Sequence, residues 1–253
     1  MAAAVNNSQD RAVQTMFDRI AGRYDLLNRV ISFRLDAWWR NRAIREVISG
    51  GRPRILDLGA GTGDLTFAAA RATRGRGSLV GLDFSLSMLT VAQQKRGHAP
   101  HGDATAFVLG SALRSPFRDA VFDGVMTAFV LRNVSDLSLF FAHAYRVLKP
   151  GGRFVSLDMF PPNKNWFTPL YALYFYHLVP WIGERLAKDR DAYRYLSESV
   201  RHFYPPEKIV CLIKGAGFEG VTFRRFLNGA VCMHVAEKSH AAVGAAEDHA
   251  RIF

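Results

Sequence analysis

Cysteine and lysine are both scarce here, and each scarcity removes a class of protein. Two cysteines, Cys211 and Cys232, provide neither a metal-binding quartet, a C-x-x-C pair nor a disulfide framework. They read as small buried hydrophobes in a reducing compartment. Only 7 of the 33 basic side chains are lysine; with 22 acidic ones the net charge is +11, carried by arginines dispersed along the chain without a basic block. Such a surplus suits nucleic acid, an anionic membrane surface or an acidic ligand, and its dispersal selects none of them. A basic segment followed by an apolar core is lacking in the opening MAAAVNNSQDRAVQ, so no signal peptide is expected. Long hydrophobic runs are also few. Residues 165–183, NWFTPLYALYFYHLVPWIG, carry no formal charge, but Pro169, Pro180, His177 and several hydroxyls suit an interfacial or pocket-lining segment better than a bilayer helix. With 253 residues, 49% hydrophobic and 22% charged, the chain has the means for a large core, which excludes disorder and collagen-like readings.

Residues 10–50 are helical in pattern, with Val13, Met16, Phe17, Ile20, Leu26, Leu27, Val30 and Ile31 at three-and-four spacing. Short apolar runs at 54–58, 78–82, 106–109, 121–127 and 153–158 then alternate with helical stretches at 64–72, 86–95 and 135–148. This alternation predicts a parallel sheet with helices on both faces. The aromatic run interrupts it and is followed by helical segments at 185–201 and 207–215. Strands at 221–226 and 230–237, joined by Leu227-Asn228-Gly229, predict a closing antiparallel pair.

The strongest local signal is LDLGAGTGD, residues 56–64, which leaves a strand and enters a helix. Gly59, Gly61 and Gly63 permit tight turning and close approach of a ligand to the backbone. The dinucleotide fingerprint would need a further glycine where Asp64 stands. Asp57 and Asp64 repel a pyrophosphate and suit a cationic ligand; S-adenosylmethionine, with its ammonium and sulfonium, fits. Asp83, at the tip of the second strand, is placed to accept both hydroxyls of a ribose, with Phe84 beside it. Ser85 is the better helix cap. Ser111 and Ala112, after the third strand, leave room for an adenine edge. Arg132-Asn133 follows the fourth strand, where side chains face a cleft, whereas RVLKPGG (146–152) reads as a helix end with cations near its dipole and a proline stop.

Together LDLGAGTGD, the Asp83 tip, LRNVSD and RVLKPGG resemble class I S-adenosylmethionine-dependent methyltransferases. FDRIAGRYDLLNRVISF (17–33), LRNVSD, the run 176–200 and AGFEGV (216–221) are similar to the ubiquinone/menaquinone biosynthesis C-methyltransferases over roughly residues 13–238. The resemblance implies a Rossmann-like α/β fold with a mostly parallel seven-stranded sheet, an antiparallel C-terminal strand pair, added N-terminal helices and a helical aromatic insertion. Residues 1–50 would close the active site, 51–238 would bind the cofactor with an insertion at about 160–203 for substrate, and 239–253 would form a disordered tail. It further implies S-adenosyl-L-methionine as cofactor, with contacts at Thr62, Asp83, Ser111 and Ala112, and a prenylated quinol as substrate. Two departures stand out: Ser111 replaces a common acidic or amide residue, and Ala128 replaces a serine of some relatives.

A quinol ring carbon becomes nucleophilic once an adjacent hydroxyl is deprotonated. Arg132 is the candidate stabiliser of that phenolate, with Asn133 and Tyr24 grouped at the reacting end. Arginine itself is a poor proton acceptor, so the acceptor is left open among a water held by Arg132, Tyr24, Asp25, His177 and His202. The aromatic run from Trp166 to Trp181 suits an apolar pocket for the prenyl tail or a membrane interface. The expectation is an enzyme without metal or nucleic-acid partner, cytoplasmic with peripheral contact at the inner face of a membrane, and with room for a homodimer. Nucleic-acid amine methylation would call for Asn/Asp-Pro-Pro-aromatic after the fourth strand, where this chain reads FVLRNV. The other rival is a non-catalytic cofactor-binding subunit.

Overall fold

The computed structural model describes residues 8–240 except 164, 167 and 188; residues 241–253 of the expected tail lie outside the described residues. Seven strands, β1 (Arg54–Leu58), β2 (Ser78–Asp83), β3 (Thr105–Leu109), β4 (Phe122–Ala128), β5 (Leu148–Met159), β6 (Glu219–Phe226) and β7 (Val231–Glu237), form one sheet in the order β3-β2-β1-β4-β5-β7-β6. The first five are mutually parallel, and β7 runs antiparallel to both β5 and β6. The chain winds outward in one direction from β1 to β3 and in the other from β4, which leaves a crevice at the carboxyl ends of β1 and β4.

Three helices precede the sheet: α1 (Ser8–Ile20), α2 (Tyr24–Ile31) and α3 (Leu35–Val47). Connections between parallel strands carry α4 (Asp64–Ala72), α5 (Leu86–Arg96) and α6 (Leu137–Val147). The aromatic stretch folds as α7 (Thr168–Leu173), a π-helical turn over Tyr174–Leu178, and α8 (Val179–Ala187); α9 (Arg190–Arg201) and α10 (Pro206–Gly215) follow. Both faces of the central strands are covered, so Ile55, Leu56 and Leu58 are fully buried and the strands read as apolar runs rather than alternations. One sheet face packs against α6 and α10 through Phe140, Phe141, Ile209 and Ile213, the other against α3 and α4 through Ile44, Val47, Leu65 and Ala69. A third cluster, with Met16, Leu27, Phe175 and Val200, binds α1 and α2 to the insertion above the strand ends.

The expected strands and hairpin are present, and the turn at Asn228-Gly229 adopts positive φ of 54° and 87°. Four local expectations are corrected. The single helical pattern over 10–50 is broken at a 3-10 turn, Ala21–Arg23, and again at Phe33-Arg34, both left-handed with φ of 49° and 63°. The stretch 185–201 divides where the Asp189 carboxylate accepts from the Ala192 N–H and caps α9. Lys149, Pro150 and the following glycines belong to β5, and the carbonyls of Tyr145 and Leu148 accept from Lys238 Nζ at 2.9 and 2.8 Å. Arg146 and Lys149 turn instead to the Ser115 and Phe117 carbonyls and to Asp123. The cap comes from a lysine distant in sequence, which local pattern does not reveal. Lastly, Cys211 is exposed; only Cys232 is buried.

Candidate active site

β1 ends in a loop whose Gly59 and Ala60 N–H groups donate to the Leu82 carbonyl at 2.8 and 3.0 Å. Gly59 has φ of 76°, and a Cβ there would lie 2.4 Å from Val130 Cγ2, so protein packing demands glycine. Gly61, with φ of 55°, would point a Cβ into open space. That space is the first cavity, lined by Asp57, Gly59, Gly61, Thr62, Asp83, Phe84, Ser111, Ala112 and Ala128 among others. Gly63 starts α4 with φ of 84°, close against Phe67 and Phe107.

Two buried carboxylates set the electrostatics. Asp57 Oδ2 accepts from the Thr66 hydroxyl at 2.7 Å, and its Oδ1 has no partner among the described residues. Burial, with the neighbouring Asp83 adding to it, pushes the Asp57 carboxyl up to about 7. Asp83 accepts from the N–H groups of Gly61 at 2.7 Å and Ser85 at 2.9 Å, and burial raises it to about 6. The Ser85 side chain caps α5, accepting from the Met88 N–H at 3.1 Å. Ser111 Oγ accepts from the Leu113 N–H at 3.2 Å, which commits it to its own turn. The Thr62 hydroxyl donates to Asp25 Oδ1 at 2.5 Å. Asp64 corrects the expectation of a free acidic group, because Lys95 lies 2.5 Å from one oxygen and Arg40 3.8 Å from the other. From α1, Gln14 Nε2 donates to the Phe84 carbonyl at 2.7 Å, while Ser85 Oγ donates to Asp18 at 2.5 Å.

A second cavity of about 390 Å³ adjoins the first, walled by Met16, Ile20, Trp39, Tyr171, Phe175 and Tyr195. Phe17, Tyr24, Arg40, Phe129 and Asn133 line both. Arg132 lines the second and pairs with Asp158 through Nη1 at 2.6 Å, their side chains 7% and 0% exposed. Asp158 Oδ1 also accepts from the Met159 N–H at 2.7 Å. The Asn133 amide donates to the Phe129 carbonyl at 3.3 Å. Three polar atoms of lining residues, Arg132 Nε, Asn133 Oδ1 and the Tyr171 hydroxyl, and Asp158 Oδ2 behind Arg132 are buried and lack a hydrogen-bond partner among the described residues. Burial raises the Tyr24 phenol above its usual range, with a hydrogen bond to Asn28 opposing.

The structure separates residues that the sequence placed together. Asp25 is held by Thr62 and Lys95, so it braces α2 on the loop rather than facing the second cavity. His177 is exposed, and His202 bonds the Glu198 carbonyl beyond the second cavity. Trp166 and Trp181, expected in the apolar pocket, are 87% and 53% exposed; Phe167 lies outside the described residues. The aromatic segment lines the cavity through Leu170, Tyr171, Tyr174 and Phe175 instead, the face that helical periodicity brings inward. Asp158 escaped sequence reading because it looked like the last residue of a core strand; an acid at the carboxyl end of a parallel strand was the available signal. Among the described residues no group of three His, Cys, Asp or Glu could hold a metal, and no helix is long and apolar enough to cross a membrane.

The model of the ubiE/COQ5 methyltransferase family matches residues 5–238. The chain belongs to this family. This ubiE/COQ5-family protein is 41% identical to the demethylmenaquinone methyltransferase of Deinococcus radiodurans, covering 92% of the chain and 96% of the relative. It is 39% identical to the ubiquinone/menaquinone biosynthesis C-methyltransferase UbiE of Desulfotalea psychrophila, covering 90% of each. Among solved structures it shares its fold with an S-adenosylmethionine-dependent methyltransferase from Aquifex aeolicus, with a TM-score of 0.55 at 17% identity over 78% of this chain and 88% of that one. The phosphoethanolamine N-methyltransferase 2 of Haemonchus contortus, solved with S-adenosyl-L-methionine, gives 0.56 at 18% identity over 80% and 53%. As a member of the ubiE/COQ5 family the chain is an S-adenosylmethionine-dependent methyltransferase. Its first cavity fits that cofactor: the unpartnered Asp57 Oδ1 and the raised carboxyls call for a cation, and Gly61 leaves the backbone approachable.

Proposed function

We propose that the enzyme methylates a ring carbon of a prenylated quinol, demethylmenaquinol being the substrate. The junction of the two cavities carries this reading. A cavity with two buried carboxylates meets a more strongly apolar one at Tyr24, Phe129 and Asn133, and a buried guanidinium stands in the apolar wall. The relatives named for demethylmenaquinone support the choice of quinol. An apolar lining suits a prenyl tail, whose burial contributes about 25 cal/mol for each Å² removed from water.

When bound, S-adenosylmethionine supplies an electrophilic methyl group on a sulfonium. Asp83 would accept the ribose hydroxyls and Asp57, with its unpartnered Oδ1, would face the ammonium. Asn133, Phe129 and Tyr24, standing between the cavities, set the ring against the donor at near-attack distance, about 3–3.5 Å. Arg132, held by Asp158, is a buried cation preorganised toward a phenolate oxygen. Burial keeps the Tyr24 phenol protonated, so it donates a hydrogen bond rather than accepting the proton. With Asp25, His177 and His202 held elsewhere, none of these side chains takes it; the quinol proton passes through water to bulk solvent and leaves the phenolate beside Arg132. The reaction is checked by incubating the protein with S-adenosylmethionine and short-chain demethylnaphthoquinol or benzoquinol, with product position read by mass spectrometry and NMR. A ring C-methyl on the naphthoquinol is expected; an O-methyl product, or turnover of the benzoquinol alone, would overturn the assignment.

A further inference from the structure

The apolar cavity is bordered by three turns that are tied to one another. In the turn joining α2 to α3, the Phe33 ring lies 5.6 Å from Tyr174, whose hydroxyl donates to the Ile31 carbonyl at 2.5 Å. The approach to α7 is bound to the β6–β7 turn: Asn228 Nδ2 donates to the Asn163 carbonyl at 3.1 Å, and the Asn163 N–H to the Asn228 carbonyl at 2.9 Å. Each part turns a large apolar side chain to the outside while lining the cavity. Phe33 is 73% exposed, Leu170 59% and Leu227 43%. Leu35 belongs to the same rim, and Trp38, edge-on to Phe226, and Leu173 extend it beyond the cavity wall.

Exposure of so much apolar surface is unfavourable in water. Phe33 and Leu227 are in addition held at φ of 49° and 46°, a region that bulky side chains avoid. Two unfavourable features at one rim are explained by an occupant that the free chain lacks. Charge says which occupant. Arg34 sits in the first turn and Arg29 one helical turn before it; neither guanidinium has an ion-pair partner among the described residues, and both border a hollow shared with Arg71 and His98. The nearby acids Asp36 and Asp64 are already paired with Arg40 and Lys95.

We propose that this rim is a membrane-docking surface, with Phe33, Leu35, Trp38, Leu170, Leu173 and Leu227 entering the acyl boundary of an anionic bilayer and Arg29 and Arg34 at its headgroups. The inference rests on the quinol reading for what enters the cavity. A prenylated quinol is dissolved in lipid, and a mouth pressed into the bilayer lets it pass without crossing water; a protein partner covering the same rim would close that route. Amphipathic surfaces of this composition bind at the interface plane and respond to lipid charge.

The test is co-sedimentation of the full chain with vesicles of phosphatidylcholine alone or mixed equally with phosphatidylglycerol. The wild type should partition to the mixed vesicles and lose that preference in high salt. The double variant Trp38→Ser/Leu173→Ser, outside the cavity wall, should partition at least about five-fold less while methylating a tail-less demethylnaphthoquinol in solution at the wild-type rate. Arg34→Glu should lower partition to the mixed vesicles by about five-fold or more and leave that to phosphatidylcholine unchanged. Wild type that sediments with neither vesicle, or either variant binding like wild type, overturns the proposal. So does loss of vesicle binding in millimolar inorganic phosphate with the apolar variant unaffected, which would mean a site for free anions. Vesicle binding that persists without any quinol methylation would instead overturn the proposed reaction.

Discussion

The two cavities are built by opposite means. The cofactor cavity is made from the ends of adjacent parallel strands, and its residues come in short contiguous motifs held by backbone hydrogen bonds: Gly59 and Ala60 to Leu82, Gly61 and Ser85 to Asp83. The apolar cavity is assembled from α1, α2, α3, the π-helical turn, α9 and the β6–β7 turn, elements largely distant in sequence whose side chains meet mainly through packing. A motif can specify the first because a strand end and the following turn determine each other locally. The second depends on which face each helix turns inward, which makes it the half free to change with substrate.

Five measurements would sharpen or break that contrast. The largest effect is expected at Arg132, a charged group buried in the apolar half against Asp158. Arg132→Ala should lower turnover by about two to three orders of magnitude per cofactor-binding molecule. Because it leaves Asp158 buried without its cation, it should also destabilise the fold by about 3–5 kcal/mol. Turnover within a few-fold of wild type in the folded fraction would reduce Arg132 to a structural role.

Asp83→Ala addresses the other half. It should weaken S-adenosylhomocysteine by about 1–3 kcal/mol in calorimetry and leave the Michaelis constant for quinol alone. Unchanged affinity in a folded variant would remove Asp83 from the site. Next in size is a pH effect confined to the cofactor half. Asp57 and Asp83 ionise near 7 and 6 when folded and near 3.8 when unfolded, so the free protein keeps protons that the unfolded chain has released. Its stability should therefore fall as pH rises from about 4 to 7. A cation beside Asp57 offsets that loss, so S-adenosylmethionine should bind about tenfold more tightly at pH 8 than at pH 6, with protons released on binding. Affinity independent of pH in that window would mean that neither carboxylate faces the ligand.

A smaller effect is expected at Tyr171, whose buried hydroxyl lacks a protein partner among the described residues. If it serves a ring oxygen, Tyr171→Phe should raise the Michaelis constant for quinol about five-fold, the worth of one hydrogen bond. Thermal stability should be unchanged, since no intramolecular bond is lost. A fall in stability with unchanged kinetics would assign the hydroxyl to structure. By contrast, Trp166→Ser and Trp181→Ser should leave the tail dependence of that constant within about two-fold, because both rings point away from the cavity.

The amino-acid sequence by itself determined the alternation of strands and helices, the glycine loop, the acid at the tip of β2 and the Asn-Gly hairpin, because each is specified by neighbours a few residues apart. Gly59 needs its positive φ whatever surrounds it, and an acid ending a strand at the switch point reaches the crevice in any sheet of this order. Only the tertiary structure decided the rest. It placed Asp158 under Arg132, committed Asp25 to Thr62 and Lys95, brought Lys238 onto the end of α6, and turned the tryptophans of the aromatic segment outward and Tyr171 and Phe175 inward. Those outcomes depend on partners many residues away, and a side chain's neighbours across a packed interface leave no periodic trace in the sequence that carries it.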